Sequence, residues 1–122
     1  MGKIILVVDD SRSVAQFVRD VLESRGYKVL TATDGMEALT QLFKYDVDLI
    51  IAEADMPGLN GVELVKAVRK TRKYQNVPVI LVSSSGKPPV PQEQPPTEKA
   101  NVFLRKPFDR KQIEKEVEKL VN

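Results

Sequence analysis

Short apolar runs alternate with segments of helical period along this chain, and that alternation limits the fold more than any other feature. Ile4 to Val8 is a continuous run of β-branched and aliphatic residues that stops at Asp9 and Asp10. Such a run suits a strand buried on both faces, as in a parallel sheet, where polar and apolar positions need not alternate. Val14, Phe17, Val18, Val21 and Leu22 then follow the i, i+3, i+4, i+7, i+8 spacing of an amphipathic helix over about Ser11 to Arg25. Gly26 stands just past its end as a cap.

The two patterns recur. Tyr27 to Thr31 predicts a second strand, Asp34 to Lys44 a helix with Ala38, Leu39 and Leu42 inward, and Val47 to Ala52 a third strand. Beyond the turn formers Met56 to Gly61, a third helical stripe is made by Val62, Val65 and Val68. Val77 to Val82 predicts a fourth strand and Val102 to Leu104 a short fifth. Asp109 with Gln112 three residues on is a capping-box variant opening a last helix, with Ile113, Val117, Leu120 and Val121 inward. Strands alternating with helices predict a doubly wound α/β domain: one five-stranded parallel sheet covered on both faces, with residues 1–122 forming a single unit.

One segment departs from the pattern. Where a fourth helix is due, Ser84 to Ala100 contains Pro88, Pro89, Pro91, Pro95 and Pro96. An interior proline costs a helix about 3 kcal/mol. A proline-rich loop is therefore expected in its place, with at most one turn at Thr97 to Ala100.

Ligand sites in such sheets lie beyond the carboxyl ends of the strands. Asp9 and Asp10 follow the first strand, Glu53 and Asp55 the third, Ser83 the fourth and Lys106 the fifth. Acids meeting at one edge repel and raise one another's pKa unless a cation stands among them. Asp9, Asp10, Glu53 and Asp55 are thus candidate ligands of a hard divalent ion, magnesium above all. A hydroxyl and a lysine on the same edge suit the oxygens of a phosphoryl group. Cysteine and histidine are both absent, so thiolate chemistry, disulfides and histidine general bases are excluded.

The acid pair Asp9-Asp10, the stretch Asp48-Leu-Ile-Ile-Ala-Glu-Ala-Asp-Met-Pro-Gly-Leu-Asn-Gly61, Ser83 and Lys106-Pro107-Phe108 together resemble the signature set of response-regulator receiver domains, over nearly the whole chain. The resemblance implies that the acid pair binds magnesium, that Ser83 and Lys106 coordinate a phosphoryl group, and that Asp55 offers only its backbone carbonyl to the metal. It also implies that Phe103 is an aromatic switch and that the Lys106–Pro107 bond is cis. The family's phosphate-accepting aspartate, three residues before the Met-Pro, corresponds here to Glu53. Glutamate carries its carboxylate one methylene further, enough to spoil an in-line geometry that depends on close placement. The same reach sets a fixed negative charge near Ser83 and Lys106, roughly where phosphoryl oxygens would go. The resemblance further implies that the active form presents its fourth helix, fifth strand and fifth helix, a face that the prolines would rebuild.

The favoured expectation is a non-enzymatic signalling module, a receiver kept for protein interaction with its kinase input lost. Its partner is then a histidine kinase or a downstream effector, and the chain a monomer or weak dimer. A competing expectation is a magnesium-dependent phosphoacceptor that uses Asp55 or Asp10 instead. A flavin carrier is disfavoured because the acid pair would repel the cofactor's phosphate, and an aspartate-nucleophile phosphatase because Asp9-Asp10-Ser11 is not Asp-x-Asp. The net charge of +2, spread along the chain, signals neither a nucleic-acid nor a membrane surface. With no apolar run of about 18 residues and no signal-peptide pattern, a cytoplasmic location is expected.

Overall fold

The apolar runs become strands and the periodic segments become helices in a computed structural model that describes residues 2–83 and 100–121. The order is β1 (Ile4–Val8), α1 (Arg12–Glu23), β2 (Lys28–Ala32), α2 (Gly35–Lys44), β3 (Leu49–Glu53) and α3 (Gly61–Lys70). A 3-10 turn (Arg72–Tyr74), β4 (Val79–Ser83), β5 (Val102–Arg105) and α4 (Arg110–Val121) follow. The expected replacement of a helix by the stretch Pro88 to Pro96 lies outside the described residues. No described helix is long and apolar enough to cross a membrane.

All pairings are parallel, in the order β2-β1-β3-β4-β5. Every residue of β3 and β4 is buried, which explains why these strands show no polar alternation. One apolar layer joins Leu6, Val8, Ile50, Ala52, Val79 and Leu81 to Ala38 and Leu42 of α2 and to Leu64, Val65 and Val68 of α3. The other joins Ile5, Val7, Leu49, Ile51, Ile80 and Val82 to Ala15, Val18, Val21 and Leu22 of α1 and to Ile113 and Val117 of α4. Fully burying one such aliphatic side chain stabilises by about 1.5–3 kcal/mol, so the sheet acts as a common wall for two cores.

The helix starts are set by local chemistry. Ser11, Asp34 and Asn60 each accept a backbone N–H of the first turn, and Asn60 with Glu63 forms a reciprocal capping box. The Asp109 and Gln112 box forms as expected, with bonds of 2.8 and 2.9 Å. Gly26, at φ +91°, supplies the left-handed backbone after α1.

The inward stripe of α1 needs one correction. Phe17 is 42% exposed while Ala15 is buried. The core-facing line is Ala15, Val18, Val21 and Leu22, and Phe17 lies about 100° around the helix from Val18. Its ring meets Phe108 instead, with centroids 6.3 Å apart. Leu120 and Val121 of α4 are only half-buried against the same layer.

Buried Arg69 fastens the segment before β5. Its guanidinium donates to the Val77 carbonyl at 2.6 Å and to Asn101 Oδ1 at 3.0 Å, and that oxygen also accepts the Val79 N–H at 2.8 Å. Gly61 opens α3 directly against the end of β3. A Cβ there would stand 2.3 Å from the Glu53 carbonyl oxygen, a backbone atom that cannot swing aside. Gly61→Ala is therefore expected to lower stability by about 1–3 kcal/mol, seen as a lower urea midpoint with unchanged slope. An unchanged midpoint would show that this approach is not tight.

Candidate functional site

The chain order reverses between β1 and β3, whose neighbours in the sheet lie on opposite sides. That is where a doubly wound sheet leaves a crevice at its carboxyl edge. Asp9 follows β1 there, Glu53 is the last residue of β3, Ser83 the last of β4, and Lys106 the first after β5. Asp9 and Glu53 are each 3% exposed and Ser83 is fully buried. Three polar side chains so deep at one edge need partners.

Lys106 supplies them for the two acids. Its Nζ lies 2.9 Å from Asp9 Oδ2 and 2.5 Å from Glu53 Oε1. The remaining oxygens are also engaged: Asp9 Oδ1 accepts the Ser11 N–H and Glu53 Oε2 accepts the Asp55 N–H, both at 2.9 Å. Burial of Lys106 opposes its charged form, but the bonds to Glu53 and Asp9 outweigh it and hold the ammonium above the usual lysine range. One cation thus bridges two buried carboxylates.

The remaining candidates separate. Asp55 turns its carboxylate to Ser83, whose Oγ donates to Asp55 Oδ2 at 2.8 Å. Asp10 is exposed. Among the described residues no group of three or more acids is arranged to hold a metal ion. As arranged, the Lys106 ammonium stands between Asp9 and Glu53, the two deepest of the four acids. Phe103, in register with Leu81, is half-buried against the layer that holds α2 and α3. The Lys106–Pro107 bond is cis, as the resemblance implies.

Two features of the site were not anticipated from the sequence. Asp55 was expected as a candidate metal ligand or an alternative phosphoacceptor, and its side-chain bond to Ser83 was not foreseen. The closeness of Gly61 to Glu53 had only the turn-forming character of the loop to announce it.

Comparison with known proteins agrees with the geometry. A model of the response regulator receiver domain matches residues 5–118. A chemotaxis protein CheY homolog of Campylobacter jejuni is 42% identical over 84 residues, 67% of this chain and 65% of that protein. The CAI-1 autoinducer sensor kinase/phosphatase CqsS of Vibrio cholerae is 35% identical over 107 residues, 87% of this chain and 16% of its own length. The chain therefore spans less than two thirds of either curated relative. The solved chemotaxis response regulator CheY4 of Vibrio cholerae superposes with a TM-score of 0.88 at 36% identity, covering 98% of this chain and 99% of that one. A parallel sheet in this order, acids and a lysine at its carboxyl edge, and a match over nearly all its length mean that the chain belongs to the response regulator receiver domains of two-component signal transduction.

Proposed function

We propose that this receiver domain acts as a protein-interaction module whose state does not depend on phosphorylation. The observation that carries this reading is the Glu53 carboxylate at the acceptor position, buried and 2.5 Å from the Lys106 ammonium. A phosphoryl group would need the Glu53 oxygen that now pairs with Lys106 or the one that takes the Asp55 amide. The pair instead gives the site a resident negative charge of fixed position. Magnesium, which the resemblance implies, would have to displace the ammonium from between Asp9 and Glu53, so its binding is weak and competes with that pair. The partner in this reading is a signalling protein, a histidine kinase or an effector, and the domain itself performs no turnover.

Intact mass spectrometry after incubation with acetyl phosphate and magnesium is expected to show no phosphoryl gain for the protein as it stands. Glu53→Asp, which shortens the side chain and frees the acceptor's place, is expected to become labelled. A stoichiometric gain on the unaltered protein would sink the proposal, and peptide mapping to Asp55 or Asp10 would then favour a working phosphoacceptor.

The pair also makes a prediction about stability. Lys106→Met leaves two buried carboxylates without their cation and should cost about 3 kcal/mol by urea unfolding near neutral pH. Because the folded-state pKa of Lys106 is raised, its contribution is fully present below the ordinary lysine value of about 10.4 and is lost as pH rises through the higher folded value. The difference between the two proteins should accordingly stay level from about pH 7 to 9 and shrink only in strong alkali. A difference that fades between those neutral values would contradict the assignment.

A further inference from the structure

Four hydrogen bonds at the carboxyl edge close into a ring. Glu53 Oε1 takes the Lys106 ammonium at 2.5 Å, and the Lys106 amide donates to the Ser83 carbonyl at 2.8 Å. Ser83 Oγ donates to Asp55 Oδ2 at 2.8 Å, and the Asp55 amide donates back to Glu53 Oε2 at 2.9 Å. The ring passes through the end of β3, the end of β4 and the residue after β5, segments far apart in sequence. We propose that Asp55 is a positioning residue: its side chain, aimed by Glu53, holds the end of β4 and through it keeps Lys106 against Glu53. This inference rests on the reading of Glu53 as a resident carboxylate, because the Glu53 oxygen not used by Lys106 is the one that fixes the 53–55 turn.

The chemistry favours a side-chain task for Asp55. Ser83 is fully buried, so a bond from its hydroxyl to an ionised acceptor lies in a drier place than the exposed turn that supplies the acceptor. At 2.8 Å that bond has the ordinary length of a hydroxyl–oxygen hydrogen bond. Ser83 also sits opposite Arg105 in the β4–β5 register, one residue before Lys106. Any shift of the β4 end therefore moves the Lys106 backbone directly. Glu53 and Asp55 divide the work between them, one carboxylate on the lysine and one on the serine.

Amide hydrogen exchange on the full chain, followed by NMR with no phosphodonor present, tests the ring. Asp55→Ala and Ser83→Ala are each expected to speed exchange of the Lys106 amide about tenfold, the worth of one hydrogen bond. The double variant should add little to either single change, since both break the same link. Asp55→Asn, which keeps an acceptor oxygen in the same place, is expected to restore most of the protection. The Tyr45 amide, bonded to the Gln41 carbonyl at the far end of α2, serves as the reference and should not change. Unaltered Lys106 exchange in Asp55→Ala overturns the proposal, as does an equal rise at Tyr45, which would mean general loosening. A phosphoryl gain by mass would overturn the functional reading without touching this exchange result, so the two can fail separately.

Discussion

Everything at the carboxyl edge depends on one ammonium held between two buried carboxylates. Asp9 and Glu53 are almost wholly removed from water, and two anions so close would repel each other strongly if nothing stood between them. Lys106 meets both, at 2.9 and 2.5 Å. A buried ion pair is weak evidence of net stability, because desolvation offsets much of the attraction. Its force lies in geometry, since losing either side leaves an uncompensated charge in a dry place. That requirement fixes where the chain after β5 must run and how the Glu53 side chain must lie.

The sheet makes this arrangement available. Parallel strands bring their carboxyl ends to one edge, and the order β2-β1-β3-β4-β5 places the ends of β1, β3 and β4 side by side. Two apolar layers, one with α1 and α4 and the other with α2 and α3, keep those strands in register. Close approach of Gly61 to the Glu53 backbone adds a local constraint, for no side chain fits between α3 and the end of β3. The polar edge is thus held by apolar packing beneath it and by hydrogen bonds across it.

Much of this was legible in the residues. Strand-end placement picked out Asp9, Glu53, Ser83 and Lys106, because an apolar run that stops at a polar residue marks both the strand and its exit. The Asp109–Gln112 box was readable for the same reason, since capping is a contact over three residues. The inward-facing place of Phe17 was misread, because hydrophobic period alone cannot tell which of two neighbouring stripes meets the sheet, and Ala15 won that place. The Asp55 bond to Ser83 was not legible either: 28 residues separate the pair, and nothing local marks an acid in a turn as aimed at a buried hydroxyl.

By itself the sequence determined the alternating α/β architecture and the polar residues that stand at its strand ends. These follow from periodicity and from residue identity, which are local properties. Only the tertiary structure decided how the acids are shared out: Asp9 and Glu53 to one lysine, Asp55 to a serine, Asp10 to solvent. That division depends on distances of a few ångströms between segments from four different strands, and such distances exist only once both cores have packed against the assembled sheet.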